Sequence, residues 1–161
     1  MRLKTIVTSG ILAALYIAFS FALTPLLTFG ALQFRLGEMF NHLVVFNKKY
    51  FFGIIIGVFI TNLFSPLGVY DLVFGLGQSV IALAITIAVS KFVSSYLVRM
   101  LINTAVFSVS MILVAWELNL ALDLPFFATW LSTALCELAV MLLGIPLVTA
   151  LNRKLKFKDR V

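Results

Sequence analysis

Long apolar runs alternate with short polar or charged clusters along this chain. Four runs, about 5–27, 72–90, 96–116 and 125–151, each reach the roughly 20 residues that a helix needs to cross about 30 Å of hydrocarbon. The stretch from Glu38 to Phe64 is apolar on both sides of Asn47-Lys48-Lys49. As one span it would place two lysines near the bilayer centre, at a cost of about 3 kcal/mol each. As two short spans, 38–47 and 50–64 with a turn between them, it avoids that cost. The pattern therefore predicts an all-α membrane protein: a single domain over 1–161 with six transmembrane helices. The short second and third helices must tilt, thin the bilayer or pack mostly against protein.

Composition agrees with the pattern. Hydrophobic residues make up 63% of the chain and charged residues 11%, and a soluble domain of this length has too little interior to hide so much apolar surface. The first run is longer than the apolar region of a signal peptide and has no separate small-residue cleavage site, so it is expected to remain as a span. Cys136 has no cysteine to pair with and sits in an apolar run, as a small hydrophobe does.

Charge placement supplies direction. With six spans, eleven of the twelve basic residues fall on one side: Arg2, Lys4, Lys48, Lys49, Lys91, Arg99, Arg153, Lys154, Lys156, Lys158 and Arg160. Arg35 is the exception. A five-span reading would destroy this asymmetry. By the positive-inside rule both termini are expected in the cytoplasm, with the basic side facing anionic headgroups, so nucleic-acid binding is not needed to explain the net charge of +6. Glu38, Asp71, Glu117 and Asp123 fall at or near the outer face and Glu137 falls inside the sixth helix, which suggests polar chemistry in the outer half.

Glu137 is the sharpest single candidate, because an ionisable group at mid-span marks function unless it holds a neighbouring helix. Trp130, Thr133 and Glu137 share one helix face, offering an aromatic plane, a hydroxyl and a carboxylate. Asn103, Ser110 and Glu117 recur at intervals of seven on the fifth helix. Asp71 and Gln78 are likewise seven apart on the fourth, and Asn62 closes the third. Arg35 and Glu38 are three apart and would pair if their segment were helical. Together these residues read as a cavity for a polar, flat or cationic small molecule, with carboxylates accepting from amine-like donors and Trp130 or Trp116 stacking on a ring. Gly10, Ala14, Ala18 and Ala22 form a small-residue ladder at spacing four on the first helix, suited to close helix approach within the protein or to a partner. His42, the single histidine, reads as an interfacial residue, and Gly144-Ile145-Pro146 as a kink. No metal-ligand spacing, phosphate loop or catalytic constellation occurs. Neither an enzyme nor a cofactor is expected.

Two motifs and the topology carry a family resemblance over essentially the whole chain. Ala14-Leu15-Tyr16-Ile17-Ala18 resembles the Ala-x-x-x-Ala signature of substrate-binding S components of energy-coupling factor (ECF) transporters. Gln33-Phe34-Arg35-Leu36-Gly37-Glu38 resembles the loop motif of the QueT family of queuosine-precursor transporters. The resemblance implies an ECF S-component-like bundle in the bacterial cytoplasmic membrane. It implies capture of a deazaguanine near the outer face, and delivery inward with a transmembrane coupling subunit and two cytoplasmic ATPases. It makes Ala14, Ala18, Gly10 and Ala22 a coupling-subunit contact. Glu137 would take the ring N–H and exocyclic amine of a guanine-like edge. Glu117, Asp71 or Glu38 would take an aminomethyl cation, and Arg35 would face a carbonyl oxygen or lock the loop. Other readings are an S component for another vitamin or nucleobase, a free-standing homo-oligomeric transporter or channel, and, with no catalytic group to support it, a small membrane enzyme.

Overall fold

The computed structural model describes residues 3–22, 28–29 and 32–159. Residues 23–27 of the expected first span, Gly30 and Ala31 of the first outer loop, and Arg2 and Arg160 of the basic side lie outside the described residues. The described chain is helical, with no strand among them. Helix α1 covers Leu3–Ser20, α2 is a 3-10 helix over Leu36–Val45 and α3 covers Tyr50–Leu63. Helix α4 runs Asp71–Val89, opening with a π-helical turn, Asp71–Gly75. Helix α5 covers Tyr96–Leu122, and α6 covers Phe126–Leu155. Of these six, α1, α4, α5 and α6 are long and apolar enough to cross a membrane, and α3 is a shorter apolar helix. The fifth helix runs six residues beyond the apolar run that predicts it, carrying Glu117 within regular helix.

The second helix solves its length problem by changing its winding. A 3-10 helix rises about 2.0 Å per residue against 1.5 Å for an α-helix, so ten residues span about 20 Å rather than 15 Å. Every residue of α2 except Leu36 is buried. It is therefore an internal strut, and its weaker hydrogen-bond geometry is shielded on all sides by α1, α3, α4, α5 and α6. Met39, Phe40, Leu43, Val44 and Val45 join Leu12, Tyr16, Ile54, Val58, Leu83, Phe107, Val140 and Met141 in the main core. The large apolar side chains left exposed, such as Ile11, Phe59, Ile85, Val109, Leu131 and Leu143, suit contact with acyl chains.

Glycines set how closely the strut and the third helix approach their neighbours. A Cβ at Gly57 would lie 2.8 Å from the Tyr16 Cβ, and one at Gly53 would lie 2.9 Å from the Ser9 carbonyl oxygen, so α1 and α3 meet almost backbone to backbone. At Gly144 a Cβ would lie 2.8 Å from the Met39 Cβ. The Gly144-Ile145-Pro146 segment thus makes a notch for α2, and α6 continues through Pro146. Gly57→Leu is expected to cost about 1–3 kcal/mol through overpacking and to lower the thermal midpoint in detergent by several degrees. Gly10→Ala, whose Cβ meets nothing within 4 Å, should keep or slightly raise it, since Ala is the better helix former; equal midpoints for the two variants would refute this packing.

Side-chain hydrogen bonds gather the basic segments at one end of the bundle. Lys4 Nζ donates to the Asp159 carbonyl at 3.0 Å, and the Asn47 amide donates to the Lys158 carbonyl at 3.1 Å. The Tyr50 hydroxyl donates to the Phe157 carbonyl at 2.9 Å. The Arg99 guanidinium donates to Val93 and Val45 carbonyls at 2.6 and 3.1 Å.

Candidate functional site

At the other end, Arg35 enters the interior from the loop before α2. Gln33 holds a left-handed backbone, φ 53°, and Arg35 itself is extended, φ −108° and ψ 104°. This backbone path carries the guanidinium inward. Its Nε donates to the Thr28 carbonyl at 3.1 Å, Nη1 to Asn62 Oδ1 at 2.9 Å and Nη2 to Asp71 Oδ1 at 3.0 Å. The Phe29 ring lies 5.2 Å from its Cζ. Asp71 also accepts from the Ser65 hydroxyl, and its backbone carbonyl accepts from the Asn62 amide at 3.0 Å. The π-helical turn at the start of α4 and the end of α3 thus grip one cation. The helical pairing of Arg35 with Glu38 that the spacing suggests does not form, because Arg35 is extended and reaches across the bundle to Asp71.

Glu38 is committed elsewhere: it accepts from the Tyr16 hydroxyl of α1 and from the Asn41 amide. Glu137 of α6 lies in electrostatic reach of both Glu38 and Arg35. It is 2% exposed, and its Oε1 has no hydrogen-bond partner. Gln33, Arg35, Glu38, Gly75, Gln78 and Glu137 line a cavity completed by Met111 and Val114. Its volume is about 10 Å³, room for about one water. Binding anything larger requires the walls to part. A roomier crevice of about 360 Å³ lies at the opposite end between α1 and α6, but its lining, including Ile11, Leu15, Leu151 and Phe157, contains no charged group.

The sevenfold spacing on α4 and α5 has a geometric outcome. Thr86 donates to Asn103 Oδ1 at 2.7 Å, and Gln78 Nε2 donates to Ser110 Oγ at 2.8 Å. One level further out, Asp71 and Glu117 interact. Because the helices are antiparallel, residues 86, 78 and 71 descend as 103, 110 and 117 ascend, and spacings of eight and seven on α4 against seven and seven on α5 keep the rungs nearly level. The deepest rung continues into the bundle. The Asn103 amide lies 3.2 Å from His42 Nδ1, and His42 Nε2 lies 2.9 Å from the Met141 carbonyl. Thr86 occupies the Asn103 oxygen, so the Asn103 amide donates to Nδ1 and the neutral Nε2–H form donates to Met141. His42 and Asn103 therefore brace α2, α5 and α6, and neither lines the cavity. His42 is fully buried, not interfacial as its sequence position suggests.

The remaining expected residues divide. Asn62 and Asp71 hold Arg35, while Glu38, Gln78 and Glu137 line the cavity. Glu117 lies one helical turn beyond Val114, fully buried, and its carboxyl group is hydrogen-bonded to that of Asp71. Thr133 returns its hydroxyl to the Thr129 carbonyl at 2.8 Å. Trp130 lies against α5, its indole N–H donating to the Val109 carbonyl at 3.3 Å and its ring packing on the Met111-Val114-Leu118 cluster. Trp116 is 53% exposed. Neither tryptophan lines the cavity, because their helix rotations are set by apolar packing. Gln33, Tyr16, Asn41 and Ser65 join the site without having been expected. The first three lie within or beside the quoted motifs, but only the fold shows that their side chains converge. Gly10, Ala14, Ala18 and Ala22 are all exposed; α1 packs internally through Thr5, Ser9, Leu12, Ala13, Tyr16 and Ser20. The ladder does not serve internal packing.

These features define a multi-pass helical membrane protein with a buried, acid-rich polar centre. The QueT transporter family profile matches residues 6–153. The chain is 34% identical over 158 residues, 92% of each sequence, to the Queuosine precursor transporter QueT of Lactococcus lactis subsp. cremoris (strain MG1363). No solved structure matches it. The chain belongs to the QueT transporter family, a family of membrane transporters rather than enzymes.

Proposed function

We propose that this protein is the substrate-binding S component of an ECF-type importer for a deazaguanine queuosine precursor. The name of its relative supports the substrate class. The observation that carries the site is the Glu137 carboxylate: buried, at a cavity, with an oxygen that nothing in the protein satisfies. An unmet buried acceptor is costly unless a ligand supplies the donor. A guanine-like edge supplies two, its ring N–H and exocyclic amine, which one carboxylate accepts together. Arg35, with three partners already, serves as the clamp that holds the loop to α3 and α4, while Gln33 offers an amide to a carbonyl oxygen.

In this reading the basic end is cytoplasmic, as the positive-inside rule favours, and the Arg35 end faces outward. Substrate enters there, and the S component docks with a coupling subunit and two ATPases through the outward Ala14-Ala18 face of α1. In the family's mechanism the S component then topples in the membrane to deliver its cargo. Titration of the purified protein with deazaguanines, followed by calorimetry, tests the site. Glu137→Gln is expected to weaken binding about tenfold or more, since bonds to a charged acceptor contribute about 1.5–3 kcal/mol. Unchanged affinity would remove Glu137 from this role.

A further inference from the structure

The basic end of the bundle holds two kinds of cation. Some are engaged within the protein: Lys4 donates to the Asp159 carbonyl, and Arg99 donates to the Val93 and Val45 carbonyls and lies 5.3 Å from the Tyr96 ring centre. Lys48, Lys49 and Lys91 are exposed, and among the described residues their ammonium groups have no hydrogen-bond or ion-pair partner. These three line one groove of about 460 Å³ between α3 and α4. Its apolar walls include Phe51 and Phe52 at the start of α3 and Ala84 and Ala88 near the end of α4. No acid lines it.

The backbone holds the three lysines at that mouth. Asn47 Oδ1 accepts from the Lys49 backbone N–H at 3.1 Å, and the Asn47 amide ties the same turn to the Lys158 carbonyl. On the facing helix end, the Ser90 and Lys91 N–H groups donate to the Thr86 and Ala88 carbonyls at 2.9 and 3.3 Å. Three like charges therefore converge where two apolar helices end, which is headgroup level, with an apolar groove running from them towards the hydrocarbon. An anionic phospholipid matches both halves. Its phosphate accepts from the ammoniums and offsets their mutual repulsion, while an acyl chain lies against the phenylalanines and alanines. A soluble anion matches only the lysines. A zwitterionic lipid brings a cation of its own.

We infer that the groove between α3 and α4 is a binding site for one anionic phospholipid. This is more than the general attraction of basic segments to an anionic leaflet: the lipid is seated on one face, apart from both the Ala14-Ala18 face of α1 and the polar cavity.

Native mass spectrometry of the purified full-length protein, with dioleoyl phosphatidylglycerol and dioleoyl phosphatidylcholine added in equal amounts, tests it. The wild type is expected to retain one phosphatidylglycerol at least about tenfold more than phosphatidylcholine, because each lysine near the surface adds to the attraction. The triple variant Lys48→Gln, Lys49→Gln, Lys91→Gln should bring that ratio to near one. A control triple variant, Arg153→Gln, Lys154→Gln, Lys158→Gln, removes as many charges at the same end and should leave the ratio unchanged. Ala84→Phe with Ala88→Phe keeps the three lysines but fills the groove, and should cut retention as well. Equal retention of the two lipids by the wild type, equal loss in both triple variants, or full retention in the filled groove would each overturn the inference. A lysine variant that loses co-purifying ATPases, beside a wild type with no lipid preference, would assign these lysines to a protein partner instead.

Discussion

Arg35→Ala is expected to cost about 3–5 kcal/mol and to abolish ligand binding. Removing one partner of a buried ion pair leaves the other as an uncompensated charge, and here the damage extends to three elements. The Thr28 carbonyl, Asn62 Oδ1 and Asp71 Oδ1 all lose their donor, while Asp71 stays buried beside Glu117. Against a typical domain stability of 5–15 kcal/mol, the thermal midpoint in detergent should fall far enough to endanger the fold. Arg35→Lys should recover only part of this, because one ammonium cannot reproduce a planar fork aimed at three oxygens. Asp71→Asn in the Arg35→Ala background should restore part of the midpoint by removing the stranded charge. A midpoint for Arg35→Ala within a degree or two of wild type would contradict the clamp.

Ala14→Trp is expected to leave the protein folded and ligand-competent yet to cut its co-purification with the coupling subunit and ATPases by at least about tenfold, or 1.4 kcal/mol. Ala14 is exposed and flanked by exposed Ile11 and Leu15, so an indole there meets lipid in the free protein but blocks a close helix approach in a complex. Full recovery of the ATPases with the variant would sink the docking role of this face. Loss of a self-associated species, with no ATPases captured by the wild type, would favour the free-standing homo-oligomer instead.

Some of the site was legible because its signals are one-dimensional. Glu137 stood out by depth in an apolar run, and a carboxylate there is conspicuous whatever surrounds it. The sevens on α4 and α5 announced a shared polar face. What failed was anything requiring helix rotation or long reach. Trp130 shares a nominal face with Glu137, but a helix face is broad and the indole turns to the Val109 carbonyl. The Arg35–Glu38 spacing suggested a local pair, yet a flexible arginine on an extended residue finds its partner 36 positions away. His42 looked interfacial because it lies near the start of a predicted short helix. The 3-10 winding of α2 instead carries it into the interior.

By itself, then, the amino-acid sequence determined the solvent, the helical architecture and the grouping of the basic segments, because apolar run length and charge placement act along the chain and need no partner. It also marked which acids are anomalous. Only the tertiary structure decided which of those acids are already satisfied, since hydrogen-bond partnership depends on side chains brought together from distant helices. That distinction separates Arg35 and Asp71, which are bonded to each other, from Glu137, whose Oε1 has no partner in the protein.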